Sequence, residues 1–410
     1  MHAVSDSRKR VLATLCLAQF AAMLIWYNFA AVLPVLRQEW QLSNDQTGTI
    51  LSAFQLGYVA SVLFSGWLTD KVGGRLVFSL CAIETGLASI GFALFASDYS
   101  SALYWRILAG IGQGGLYVPG IQILSRWYPA EERGMAIGVY TCSLMASYAG
   151  AYFAAAPLAA AFSWQTALLC TSVWALPAAA LVFWAVPDHK EWLHRVKSPQ
   201  ERHSVAPVWK MRAVWLIIFG YAGHMWEMYA FNGWIGVYAT QVFSGNGYVG
   251  EASMAYGGIV AAACMLMGAV SPFLGGWYSD ARGRCFSATL ILVFGGFGSL
   301  AFGWLSEGSL WIFIPSGLFY SFLLFADSAI YKAGLTELVP PEQLGNALSL
   351  QSVVGFGVTA LSPKLFGMIL DSSGWGWAFC LLAFGPLAGV FAMQSLRRMP
   401  ESICMAGGRR

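Results

Sequence analysis

Apolar runs of more than twenty residues recur along this chain, each closed by a short cluster of charged or turn-forming residues. They fall near 11–36, 47–68, 76–97, 101–124, 133–157 and 164–186, then near 213–242, 251–274, 285–305, 309–335, 344–370 and 375–396. At about 1.5 Å of rise per residue, some twenty residues cross a hydrocarbon core about 30 Å thick. None of the runs alternates with the period of two that a barrel strand needs, so the pattern predicts helices. The expectation is an all-α membrane protein with twelve crossings.

Composition agrees. The 410 residues are 58% hydrophobic and 10% charged, against about 25% charged in a soluble domain. The net charge of +3 is spread over many short loops and gives no concentrated basic surface for nucleic acid. Eight cysteines show neither a Cys-x-x-Cys pair nor a metal-ligand spacing, which predicts buried, reduced thiols and no metal. No Gly-x-x-x-x-Gly-Lys-Ser/Thr run is present, so nothing points to ATP-driven machinery. No cofactor is expected. Arg8, Lys9 and Arg10 precede a first apolar run that is too long for a signal peptide.

Basic residues set the orientation, because cytoplasmic loops keep Lys and Arg. With the N-terminus inside, 19 of the 23 bases fall on the cytoplasmic side and only Arg37 opposite; Arg106, Lys332 and Lys364 lie within crossings. Both termini are then cytoplasmic. Residues 187–211, polar and holding Pro187, Pro199 and Pro207, read as a linker between an N-terminal bundle (1–186) and a C-terminal one (212–410).

The halves echo each other. Gly66-Trp67-Leu68-Thr69-Asp70-Lys71-Val72-Gly73-Gly74-Arg75 returns as Gly276-Trp277-Tyr278-Ser279-Asp280-Ala281-Arg282-Gly283-Arg284, offset by 210, and the segment at 129–136 returns near 341–347. Repeats of this kind belong to transporters built from two similar bundles. The two loop copies, with Arg106 ahead of Gly110, Gly112, Gly114 and Gly115, resemble the major facilitator superfamily. The resemblance covers all twelve crossings. It implies two six-helix bundles around a central cavity open to one side at a time. It also implies that Asp70, Arg75, Asp280 and Arg284 serve gating, the two aspartates being placed to meet a helix N-terminus. Crossing 2 has no Arg, which argues against the nitrate/nitrite branch, and crossing 5 lacks the Gly-Pro-x-x-Gly-Gly run of drug exporters.

Charges inside the bilayer carry the functional reading, since each costs about 2.5–3.5 kcal/mol even on the lenient insertion scale. Glu84, Arg106, Glu227, Asp327, Lys332 and Lys364 are the candidates. Tyr221, His224, Glu227, Phe231 and Trp234 recur by three or four and share a helix face. Arg106, Gln113 and Tyr117 share another, as do Tyr320, Asp327 and Tyr331. Glu227, Asp327 and Arg106 are candidates for proton coupling. Lys364, after Pro363, is the leading anion contact, because some organic-anion members of the family use a lysine in this crossing. Trp26, Tyr27, Tyr117, His224 and Gln351 complete the candidate substrate site.

The reading is a secondary transporter, not an enzyme, that moves a small organic solute, an anion such as a carboxylate, with protons by alternating access. It is expected as a monomer in a bacterial inner membrane. An exporter of amphiphilic compounds and a non-transporting sensor on the same scaffold are the rivals. A reporter fused after Arg410 is expected to be active only in the cytoplasm, and activity outside it would overturn the orientation.

Overall fold

The computed structural model describes residues 2–128, 130–187, 208–340 and 343–409, without the side chains of residues 2–6, 63, 70, 130 and 131. Most of the expected linker, 188–207, lies outside the described residues, as do Pro129, Pro341, Glu342 and the side chains of Asp70 and Glu131. Among the described residues the regular structure is helical, with seventeen α-helices. Five crossings are unbroken: α3 (Asn44–Val72), α4 (Gly74–Phe95), α7 (Ala130–Ala161), α10 (Arg212–Gly245) and α11 (Glu251–Arg282). So is α12 (Arg284–Phe302). The rest are broken in two: α1 (His2–Met23) with α2 (Ile25–Glu39), α5 (Tyr99–Gln113) with α6 (Tyr117–Trp127), α8 (Trp164–Ser172) with α9 (Ala175–Ala185), and α13 (Leu310–Ala326) with α14 (Ser328–Leu338). Crossings 11 and 12 are shared among α15 (Leu344–Thr359), α16 (Ser362–Leu382) and α17 (Phe384–Arg397).

Among the described residues, ten helical stretches are long and apolar enough to cross a membrane. One of them, Leu344–Arg397, is 54 residues long, about 80 Å of helix and so two passes. Gly374 (φ 80°, ψ 179°) makes the turn between them. With the more polar α10, the total is twelve crossings.

The repeated segment is mostly helix rather than loop. α3 continues to Val72 and α11 to Arg282, and the chain turns only at Gly73 (φ 93°, ψ 144°) and Gly283 (φ 97°, ψ 147°). A Cβ is strained in that region of backbone space, so glycine is required. The two turns match within a few degrees at positions 210 apart, the offset of the sequence repeat. Asp280 therefore lies in the last turn of α11 rather than at the start of the next helix, and its carboxylate is taken by Arg284, 2.5 Å away.

By its own contacts the chain divides into two units: 1–40 with 53–203, and 41–52 with 204–410. In the first, α3 and α5 approach to backbone contact. A Cβ on Gly57 would strike the carbonyl of Ile107, and one on Gly110 the carbonyl of Phe54; Gly114 faces Ser61 in the same way. Gly110 and Gly114 form a Gly-x-x-x-Gly stripe, the spacing that brings membrane helices close when lipid offers no hydrophobic contrast. The second unit uses the same device between α10 and α17, where Gly223 meets the backbone of Gly385 and Gly389 follows one turn on. Around these seams lie large buried side chains, Trp164, Tyr140 and Tyr152 in the first unit and Trp234, Tyr238 and Phe302 in the second. Cysteines divide: Cys264 and Cys285 are buried as expected, whereas Cys142 and Cys170, within crossings, and Cys404, after the last crossing, are exposed.

Segment 41–52, expected with the first bundle, belongs to the second unit. Asp371 explains it. Its carboxylate accepts from Asn44 N (3.0 Å), Asn44 Nδ2 (2.7 Å) and Asp45 N (2.7 Å), satisfying N–H groups that the first turn of α3 leaves free. Gly48 and Gly367 allow the close approach, against the backbones of Pro363 and Asn44.

The end of the chain is also built in. Residues 400–408 form an irregular 3₁₀ segment with Met405 buried, against Gly334. Ala406 N donates to Glu337 Oε2 (3.0 Å), and Arg409 Nη1 to the carbonyl of Asp280 (2.5 Å).

Gly110→Ala is expected to destabilise the protein by about 1–3 kcal/mol, the usual cost of overpacking. Gly138→Ala, at a position with nothing within 4 Å of an added Cβ, should cause no loss. Thermal unfolding of the two purified variants checks the pair; equal melting temperatures would refute the seam.

Candidate functional site

The ionisable residues of the second unit gather on α10 and its neighbours. His224 and Glu227 stand one turn apart on α10 and are 2% and 3% exposed. They do not share a partner. Glu227 Oε1 accepts from Ser299 Oγ of α12 and from Tyr320 Oη of α13 (2.8 Å), and the two hydroxyls lie 2.8 Å apart. His224 turns to the break between α13 and α14: its Nδ1 is 2.7 Å from Asp327 Oδ1 and its Nε2 is 3.1 Å from Ser328 Oγ. Tyr331 Oη donates to the other carboxylate oxygen, Asp327 Oδ2, at 2.7 Å. Both imidazole nitrogens are thus engaged by the protein itself. Gln351 is buried, its Nε2 3.5 Å from the carbonyl of Tyr331.

The face read from the spacing on α10 is buried along its length. Tyr221 packs on Gly355 of α15. Phe231 meets Tyr320 edge-on at 5.1 Å. Trp234 Nε1 donates to the carbonyl of Pro363 at 3.1 Å, in the first turn of α16 beside Lys364. Lys364 itself has no carboxylate within ion-pair distance among the described residues. Asp327 and Glu227, its alternative partners, are both committed elsewhere.

In the first unit Arg106 is 4% exposed. Its guanidinium lies over the rings of Phe54 (4.2 Å) and Phe29 (4.6 Å), beside a crevice that Ser89, Phe92 and Trp105 help to line. Among the described residues it has no carboxylate partner either, and Nε is buried without a hydrogen bond. Cation–π contact at a desolvated site is worth about 2 kcal/mol, less than the cost of an unpaired buried charge.

The other residues of the Arg106 face point apart. Residues 114–116 interrupt crossing 4, so steps of seven and four no longer mean one face. Gln113 Nε2 donates to the carbonyl of Ala22 (2.9 Å), whereas Tyr117 Oη bonds Thr141 Oγ1 (3.0 Å) and its ring stacks on Tyr140. Trp26 and Tyr27 are each 3% exposed. Trp26 sits among Phe54, Tyr58 and Tyr148, and Tyr27 against Tyr148 and Tyr152. Next to them Asn28 Nδ2 reaches Thr171 and Ser172 (3.0 and 3.1 Å). Glu84 lies against the backbone at Gly112, where no Cβ would fit.

At the residues read as gating, Arg284 is the hub. It pairs with Asp280 (2.5 Å) and with Glu337 (2.8 Å), and its Nη1 donates to Ser279 Oγ (2.6 Å). Arg75, its counterpart in the first unit, donates to the carbonyl of Phe183 (3.2 Å) and lies over that ring. The Asp70 side chain is outside the described residues. Sequence spacing did not single out Glu337, Ser299, Ser328 or Asp371. Glu337 and Asp371 are ordinary charges near helix ends, and no local pattern marks a lone Ser as a partner.

Comparison with known proteins places this geometry. The family model described as Major Facilitator Superfamily matches residues 15–331. A protein named a probable sulfoacetate transporter from Cupriavidus necator is 25% identical over 95% of this chain and 93% of its own. The hexuronate transporter of Bacillus subtilis is 25% identical over 90% of this chain and 89% of its own. Among solved structures, a D-xylose–proton symporter superposes with a TM-score of 0.75 at 17% identity, covering 97% of this chain and 98% of that one. The fold, the repeat and the family match converge: this chain is a multi-pass membrane transporter of the major facilitator superfamily, not an enzyme.

Proposed function

We propose that the chain carries a small organic anion, a sugar acid or short sulfonated or carboxylated acid, across the membrane together with protons. One observation carries the reading: two cations inside crossings, Arg106 and Lys364, have no carboxylate beside them among the described residues. Arg106 is buried and Lys364 half-buried; an unpaired charge within a crossing is costly, and an anionic solute is the partner whose arrival lowers that cost. The names of the two full-length relatives support the same class, sulfoacetate and hexuronate both being anions at neutral pH.

Lys364 is the anion contact in this proposal and Arg106 a second source of positive potential. Glu227 and Asp327 are the carriers or modulators of the coupled proton. Both are buried carboxyls with hydroxyl partners, and a carboxyl so placed gains or loses a proton with a change in its surroundings. Arg284, Asp280 and Arg75, with Asp70, serve the gate. The protein acts as a monomer in the inner membrane with both termini in the cytoplasm. Carrying an anion inward with at least one proton spares it the unfavourable membrane potential, about 2.3 kcal/mol per charge at 100 mV.

Uptake of labelled D-glucuronate, D-galacturonate and sulfoacetate into proteoliposomes under a proton gradient tests the reading. Lys364→Gln is expected to weaken binding of the transported anion by about tenfold or more, the worth of a charged hydrogen bond; an unchanged affinity would remove Lys364 from the site. Net flux of none of these, with flux of cationic amphiphiles, would transfer the protein to the exporters. Binding without any flux would make it a sensor. Glu227→Gln should lower the ratio of gradient-driven uptake to counterflow by about tenfold, a typical coupling free energy; a normal ratio would exclude Glu227 from coupling.

A further inference from the structure

His224 holds both sides of the break in crossing 10. The break is a local fact of the backbone: α13 stops at Ala326, α14 starts at Ser328, and Asp327 lies between. The imidazole reaches it twice, through Nδ1 to Asp327 and through Nε2 to Ser328. From the far side α11 closes on the same point, where a Cβ at Gly275 would strike the carbonyl of Ala326. His224 and Asp327 are buried, each 2% exposed, and Ser328 is half-buried.

The two carboxylate oxygens of Asp327 are treated differently. Oδ2 has a hydrogen bond from Tyr331. Oδ1 has none, although Nδ1 stands 2.7 Å away. The attraction there is one of charge rather than of an aligned N–H, and it is strong only when the ring is a cation. With a neutral ring, the buried pair would carry a net charge of −1 and an oxygen with no partner. With an imidazolium it is neutral. The difference is one proton taken up at the ring and none released elsewhere. On protonation at Nε2, the contact with Ser328 Oγ has the ring as donor and the hydroxyl as acceptor. The hydroxyl proton is then free to bond back to a carbonyl of the preceding turn, as serine does in helices.

We infer that His224 is the positioning residue of the crossing-10 hinge: a proton on its ring clamps Asp327 and Ser328 in the arrangement seen here, and its loss releases the break between α13 and α14. The inference deepens the proton coupling proposed above and rests on it for its meaning in transport.

The ionisable surroundings are few. α10 adds Tyr221, whose ring stacks on His224 at 6.1 Å, and Glu227 one turn away. α14 adds Tyr331 at 5.9 Å, with Lys332 exposed beside it. α13 adds Tyr320, which is bonded to Glu227. α15 has no ionisable residue; α12 and α17 carry theirs only at Arg284, Cys285 and Arg397, at their ends. α11 meets the break with backbone, the ionisable residues nearest Gly275 along the helix being Tyr278 and Asp280, then Arg282 and Cys264. On α16, Lys364 lies level with Trp234, ten residues and about 15 Å along α10. Among the described residues, the base at ion-pair distance from Asp327 is His224.

Hydrogen exchange of the full-length protein in lipid nanodiscs tests this without any substrate. Backbone protection in peptides covering 321–332 is followed from pH 5 to pH 9 and corrected for intrinsic exchange. In the wild type, protection is expected to fall by about tenfold in a single one-proton step, a local opening of ordinary size. In His224→Asn, which keeps a donor near Nδ1 but no titratable ring, the step should vanish. A wild type without the step, or the same step in His224→Asn, would overturn the inference. Should that variant fail to fold, Asp327→Asn is read in its place; it keeps the ring and removes the charge that the ring faces, so an unchanged step there overturns the inference too. In proteoliposomes, His224→Asn should also flatten the pH profile of D-galacturonate or D-glucuronate uptake. If no test anion is taken up at all, the anion-transport reading fails while the exchange result still decides the hinge.

Discussion

A backbone N–H or C=O in hydrocarbon has no water to bond, and leaving one unsatisfied costs several kcal/mol. That constraint makes every crossing of this chain helical, and it governs the departures from helix as well. Where crossing 10 breaks, His224 and Tyr331 hold the Asp327 carboxylate, while the backbone keeps the local bond from Ile330 N to the carbonyl of Asp327. At the start of α3, where orphan N–H groups are unavoidable, the Asp371 carboxylate takes them. Asp327 and Asp371 serve a helix break and a helix start, whereas Glu227, Ser299 and Tyr320 meet within regular stretches of α10, α12 and α13.

The second consequence concerns how helices recognise each other. Lipid tails are as apolar as leucine, so helices gain little by hiding apolar side chains and must gain by proximity. Both units solve this with glycine, α3 against α5 and α10 against α17. Close seams fix the helices on either side and leave the polar side chains between them little freedom. The short distances around Glu227 and Asp327 depend on that rigidity as much as on their own chemistry.

The number of crossings, the internal repeat and the family were legible in the sequence because each depends on local composition or on a fixed offset. The glycine turns at 73 and 283 belong to the same class. Face assignments depend on an unbroken helix: Arg106, Gln113 and Tyr117 diverge because residues 114–116 interrupt crossing 4, whereas on α10 the residues from Tyr221 to Trp234 are buried together with almost every residue around them. Partners were not legible. Asp327 finds His224 on another crossing, and Glu227 finds Ser299 and Tyr320, pairings that only the packing of helices distant in sequence decides. Asp371 escaped notice for the same reason: its role is to serve the first turn of a helix more than 300 residues earlier.

The last residues illustrate a different point. Met405 fills a hollow at Gly334, and Ala406 and Arg409 bond to Glu337 and Asp280, so residues 405–409 are a fitted part of the second unit. A chain cut back to Arg397 would keep all twelve crossings and insert as before. It would also bare an apolar hollow and strip Glu337 of one of its donors. Being completely threaded through a membrane and being completely folded are separate achievements for this protein, and truncation or tagging at its end is a test of the second, not the first.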